Sequence, residues 1–214
     1  MADLHPPMSE RIPSLSADGY ASIADMKAHN KGANCANTVA CLRTQLGPDE
    51  LEALVQSLPP TSQALMRRRL LAVEWIPAQE WAYVLEAVCD HFDRDRAKMI
   101  ALSREWCRAD FNSVYRFFLR FGSPEFILSR TSKVWRTYFD VGELVMTNGR
   151  KEGTRHHFSA ELRDFAPWPL FTVNLQGFIE EVLVLSGAKA TEVRSGTPEI
   201  RDNRLSCRYD ISYE

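Results

Sequence analysis

Paired cysteines, a charge imbalance and long apolar runs are all missing from this chain of 214 residues. The five cysteines, Cys35, Cys41, Cys89, Cys107 and Cys207, are odd in number and nowhere spaced CxxC, which argues against a disulfide framework or a zinc ribbon. Reduced thiols serving mostly as small core residues are expected instead. The 26 basic and 28 acidic residues nearly cancel without a long block of either sign, so the electrostatic footprint of a nucleic-acid binder is lacking. Arg67-Arg68-Arg69 is the one dense basic spot and reads as the solvated end of a short helix. No apolar stretch can cross a bilayer, and no basic segment leads into an apolar run at the N-terminus. Stable membrane insertion is therefore not expected, and a cytoplasmic location is. GxSxG, HExxH, P-loop and dinucleotide fingerprints are absent too, so no catalytic residue, metal site or cofactor is assigned, and a non-enzymatic role is expected.

What is present is ordinary globular composition, 45% apolar and 25% charged, enough for one packed domain. Residues 1–29, rich in proline and serine with sparse apolar positions, are expected to be a poorly ordered extension, and residues 30–214 a single α+β domain. Proline and glycine then punctuate a run of helices. One is predicted from Asn34 to Leu46, stopped by Gly47, and a second from Pro48 to Ser57. Pro60 opens a third, and Pro77 a fourth with Trp81, Val84, Leu85, Val88 and Phe92 on one stripe. The longest helical pattern runs from Arg96 to Phe121 with Gly122 as a stop, and Ser123-Pro124-Glu125 starts a short helix to about Arg130.

Near Val141 the period changes toward two, and Asn148-Gly149 signals a tight hairpin turn. Leu170, Val173, Phe178, Val182 and Leu185 restore a helical stripe that Gly187 ends. Finally Leu205, Cys207, Tyr209, Ile211 and Tyr213 alternate with polar residues as a half-buried antiparallel strand does, with Thr191 and Val193 in its hairpin partner. The order helices, hairpin, helix, hairpin predicts an α+β fold in which an N-terminal helical layer packs on a twisted antiparallel four-stranded sheet.

Few residues suggest chemistry. His156 and His157 are neighbours on a strand and point to opposite faces, so they read as hairpin surface features. His91, beside Asp90 and Asp93, fits a helix C-terminus. Glu80, Glu86 and Glu105 read as carboxylates on exposed helix faces. A dispersed enzyme site from Glu86, His91 and Asp110 has nothing positive behind it.

Several stretches carry a resemblance: Lys31-Gly32, Leu58-Pro59-Pro60, and above all Asp110-Phe111-Asn112-Ser113-Val114-Tyr115-Arg116-Phe117-Phe118-Leu119-Arg120 followed by Gly122-Ser123-Pro124-Glu125. Val134 to Leu144 and Glu180 to Ala188 continue it. From Lys31 onward the chain resembles a paralogous family of uncharacterised proteins known from myxobacteria. That family lies within the ligand-binding group named for NO signalling and Golgi transport, with vinyl-reductase-type sensors and TRAPP vesicle-tethering subunits. The resemblance implies a helical layer on a twisted antiparallel sheet. The zinc that the sensor relatives bind through clustered cysteines is not implied, because Cys207 stands alone.

Core packing is the default explanation of the aromatic density between Phe111 and Phe139, but Phe117 and Phe118 point in different directions on a helix, so one apolar face needs a ligand, a sheet or a partner subunit, and two readings follow. In the first, a non-enzymatic sensory domain holds a small apolar ligand between helices and sheet, lined by Trp81, Tyr115, Phe118, Trp135 and Tyr138. In the second, Arg116, Phe117, Arg120 and Arg136 form the interface of a homodimer or a protein-interaction module.

Overall fold

In the computed structural model, residues 11–111, 123–147 and 149–214 are described. The expected helices are in place: α2 (Gly32–Gln45), α3 (Pro48–Ser57), α4 (Pro60–Arg67), α5 (Ala78–His91) and α6 (Arg96–Phe111). The part of the long helical pattern beyond Phe111 lies outside the described residues. Prolines at the first turns of α3 and α4 cost no hydrogen bond, since those N–H groups have no partner within a helix.

Three expectations about the elements need correction. Within residues 11–29, expected to be poorly ordered, a helix forms: α1 (Ala17–Asp25), with Ser16 capping the Gly19 N–H. Tertiary contacts hold it where local pattern does not, because Ile23 is buried and the Tyr20 ring stacks on Tyr83 at 4.1 Å. After α1, β1 (His29–Lys31) pairs antiparallel with β2 (Trp75–Pro77). Secondly, the helix capped by Ser123, α7 (Pro124–Tyr138), runs well past Arg130, because Leu128, Trp135 and Tyr138 keep a helical spacing on its buried side. Thirdly, the first hairpin turns at Gly153, whose φ of +60° suits glycine, and not at Asn148-Gly149. Asn148 lies outside the described residues; Gly149 falls between two strand segments, with the Phe158 ring pressed against it.

Among the described residues the main sheet has six segments. β3 (Glu143–Met146) and β4 (Arg150–Glu152) both pair with β5 (Arg155–Phe165). β6 (Glu192–Ser195) and β7 (Glu199–Arg201) both pair with β8 (Arg204–Tyr213), and β5 pairs with β8. The four expected strands are thus present, with each edge strand broken in two. Alternation in β8 buries Leu205, Cys207, Tyr209, Ile211 and Tyr213 and turns Arg208 and Asp210 outward, as the sequence pattern requires.

Between the hairpins lies α8 (Pro169–Leu185), apolar on nearly every side. The Tyr209 hydroxyl donates to the Thr172 carbonyl at 3.1 Å and ties α8 to the sheet. On another side Gly177 packs so closely on α6 that a Cβ would collide with the Ile100 carbonyl. Arg104 and Arg108 of α6 close on the buried Glu181 at 3.0 and 2.5 Å.

Glu86, expected on an exposed face, is 4% exposed. It is compensated by partners distant in sequence: the Arg94 guanidinium at 2.7 Å, the buried Trp168 indole N–H at 2.9 Å and the Leu15 N–H at 3.4 Å. Arg94 also donates to the Ile12 and Pro13 carbonyls. Removing one partner of a buried pair strands the other, at a cost of about 3–5 kcal/mol. Glu86→Ala should therefore lower stability by about 3 kcal/mol in urea titration and open residues 11–16 to limited proteolysis; unchanged stability would refute this role.

Candidate functional site

The interior between helices and sheet is not filled. A cavity of about 370 Å³ lies there, within the range of small-molecule sites. Its walls come from α5 (Trp81, Leu85), α6 (Trp106, Phe111), α7 (Trp135, Tyr138), α8 (Phe171, Phe178, Ile179) and the sheet (Leu144, Met146, Ile211). On α8, Phe171, Asn174, Leu175, Phe178, Ile179 and Val182 recur at steps of three and four, which places one stripe of the helix on the cavity.

Of the five residues expected to line a ligand site, Trp81, Trp135 and Tyr138 are brought together here, 2%, 4% and 7% exposed. Tyr115 and Phe118 lie outside the described residues. The Trp135 indole N–H donates to the Val141 and Gly142 carbonyls at 3.1 Å, fixing its ring where α7 gives way to β3. The Phe139, Phe165 and Phe171 rings pack around Trp135. Of the expected interface, Arg116, Phe117 and Arg120 fall outside the described residues, and Arg136 is exposed on α7.

Sequence reasoning missed the α8 contribution, since a helix apolar all round hides which stripe meets a cavity. Asn174 is the clue it held. This residue is 8% exposed, and both polar atoms of its side chain are buried without a hydrogen-bond partner. An unsatisfied buried amide costs about 1–3 kcal/mol, so its retention on the cavity stripe calls for an explanation.

Behind the wall sits a second polar group. Asp110, buried, accepts hydrogen bonds from the Asn37 amide at 2.6 Å and from that of Asn34, a cavity-lining residue, at 2.8 Å. Burial raises its carboxyl from an ordinary 3.8 to about 6, although both amides favour the charged form. It does not gather with Glu86 and His91 as a dispersed enzyme site would require. Glu86 pairs with Arg94, and His91 is exposed at the end of α5 with its ring edge-on to Phe92.

Among the described residues the remaining histidines are engaged elsewhere. His29 meets Asp140 at 2.7 Å, and His156 lies 3.2 Å from Glu125 and stacks on Tyr213. His157 is 3.7 Å from Glu152. Among the described residues no cluster of histidine, cysteine or acidic side chains could hold a metal ion.

Neither a protein-family model nor a curated protein matches the sequence. Solved structures do. The T. Tengcongensis H-NOX, as a point mutant, superposes with a TM-score of 0.66 at 12% identity, over 86% of this chain and 97% of its own. An oxygen-binding H-NOX domain related to soluble guanylate cyclases gives 0.64 at 12% identity, over 86% and 95%. A structure probing haem distortion in the H-NOX family gives 0.66 at 13% identity, over 86% and 95%.

The fold is that of H-NOX domains.

An H-NOX fold raises the question of haem, and the cavity wall answers it through its donor set. Haem iron is held by imidazole, thiolate, thioether or phenolate. Among the described residues neither a histidine nor a cysteine lines the cavity, and the Met146 thioether and Tyr138 phenol stand there without an imidazole. Arg130 is the one cation among the described wall residues to meet two propionates. The described residues do not fit a haem, and they support no chemistry through iron. Nor do the comparisons support a TRAPP-like or myxobacterial assignment; the H-NOX fold is what they show.

Two measurements probe these polar groups. Asn174→Leu removes the unsatisfied amide and should raise stability by about 1–3 kcal/mol, seen calorimetrically as a rise of at least about 2 °C in Tm; a fall in Tm would mean that the amide is satisfied. For Asp110, the folded chain holds its proton to higher pH than the unfolded one, so in that window it binds more protons and loses stability as pH rises. The Tm of Asp110→Asn relative to the parent should therefore climb between about pH 4 and 6 and level off above; a flat difference would show an ordinary carboxyl.

Proposed function

We propose that this chain is a non-enzymatic sensory domain that takes a small apolar ligand into the cavity between its helices and its sheet. One observation carries the reading: an aromatic-walled space of about 370 Å³ lies between the helices and the sheet, of a size that takes a small molecule. The H-NOX fold supports it, since the neighbours include an oxygen-binding domain of that kind. Trp81, Trp135 and Tyr138 form the apolar wall, Tyr115 and Phe118 belong to the same proposal, and the unpaired Asn174 amide offers one polar handle. Pockets of this type use apolar walls for affinity and a few placed polar groups for orientation. Membership of the myxobacterial paralogous family within the NO-signalling and Golgi-transport group belongs to this proposal and rests on the stretch from Asp110 to Glu125.

The reading is tested with N-phenyl-1-naphthylamine, an apolar fluorophore excited by energy transfer from Trp81, Trp106 and Trp135. Saturable one-to-one binding with a Kd on the order of micromolar is expected. Ile179→Trp, which places a larger ring in the cavity, should weaken it by at least about tenfold while leaving the near-UV circular dichroism folded. Absence of saturable binding, or equal binding to this variant, would defeat the proposal.

A further inference from the structure

Between α4 and β2 the chain makes a turn that pushes three apolar side chains into solvent. Leu71, Val73 and Trp75 are 53%, 77% and 42% exposed. Grouped exposed side chains of this size mark a contact site. The turn is held rigidly. The Glu74 N–H donates to the Leu71 carbonyl at 3.1 Å, and the Leu71 N–H donates to the Glu74 carboxylate at 2.7 Å. Lys31 Nζ donates to the Val73 carbonyl at 3.0 Å, and the Gly32 N–H donates to the Glu74 carbonyl at 2.9 Å. Gly32 leaves room for this approach, as a Cβ there would strike the Leu71 carbonyl. Much of the tip's backbone is therefore satisfied from within, which lowers the penalty for entering a medium that offers few hydrogen bonds.

Cations surround the tip. Arg67 pairs with Glu52 and Arg68 with Glu74, at 2.7 and 2.8 Å, whereas Arg69 is exposed with no acidic partner among the described residues. Lys31 stands 4.3 Å from the centre of the Trp75 ring. Four cations against two carboxylates leave the turn net positive.

The geometry points to an anionic lipid surface as the occupant of this tip. Leu71 and Val73 enter the outer acyl region, Trp75 lies at headgroup level where its amphipathic ring is favoured, and Arg69 and Lys31 meet the lipid phosphates. The contact is peripheral; among the described residues no helix is long and apolar enough to cross a membrane. A protein partner suits the tip less well, because a stable interface takes about 800 Å² from each side, whereas here three side chains project from a single turn. The tip is separate from the cavity, and its role does not depend on what the cavity holds.

Co-sedimentation of the full chain with large unilamellar vesicles tests it. Binding is expected to vesicles of phosphatidylcholine with about one-third phosphatidylserine, weakening with salt, and to be slight on phosphatidylcholine alone. The double variant Leu71→Asp/Val73→Asp, at positions exposed enough to spare the fold, should reduce it by at least about tenfold, and Arg69→Glu by several-fold. Vesicles should shift the parent's tryptophan emission to the blue more than that of Trp75→Phe. Failure to sediment with phosphatidylserine, or equal sedimentation of the double variant, would overturn the proposal. So would self-association that the double variant abolishes in the absence of vesicle binding, which would assign the tip to a second copy of the chain.

Discussion

A helix that is apolar on nearly every side has to be covered on nearly every side, and α8 is that helix. The sheet takes one flank through Tyr209, and α6 takes another through the groove that Gly177 leaves open. Burial this complete would be costly for Gln176 and Glu181 on α8 if α6 and β6 did not answer them. Gln176 is met by Arg96 at 2.8 Å and by the Val193 carbonyl, and Glu181 by Arg104 and Arg108. The contact between α6 and α8 is thus tied by arginines along its length, and the buried helix is fixed in rotation as well as in place. That rotation decides which stripe of α8 faces the cavity.

Much of the architecture was legible because its signals are local. Pro48, Pro60 and Ser123-Pro124 start helices where a missing N–H or a hydroxyl cap is useful, and Gly187 ends α8 at a φ of +94°. Alternation in β8 left little choice of face. What escaped depends on partners far away in sequence. The residues of α1 carry too few apolar positions to announce a helix, yet Tyr83 supplies a ring for Tyr20 to stack on. Glu86 looked like a surface carboxylate because Arg94 and Trp168 meet it only in the folded chain. The hairpin turn went to Asn148-Gly149 on composition, and the ladder chose Gly153.

The site was legible in part for the same reason. Aromatic crowding pointed to Trp135 and Tyr138, and helical periodicity to Trp81. The α8 side of the cavity carried no comparable signal, except that an asparagine interrupts an apolar helix. An H-NOX fold whose described cavity wall lacks histidine and cysteine separates the scaffold from the cofactor. Fold and chemistry are independent inheritances.

The broken edges of the sheet limit how this domain can associate. β3 and β4 part around Gly149, and β6 and β7 part around Gly196-Thr197-Pro198, where the proline has no N–H to offer a neighbouring strand. Among the described residues, no ladder edge longer than Glu143–Met146 or Glu192–Ser195 is therefore free to template a further strand. A chain with two short, interrupted edges resists growth into fibrillar sheet, and any partner must approach it through helix surfaces, turns or the polar face of the sheet.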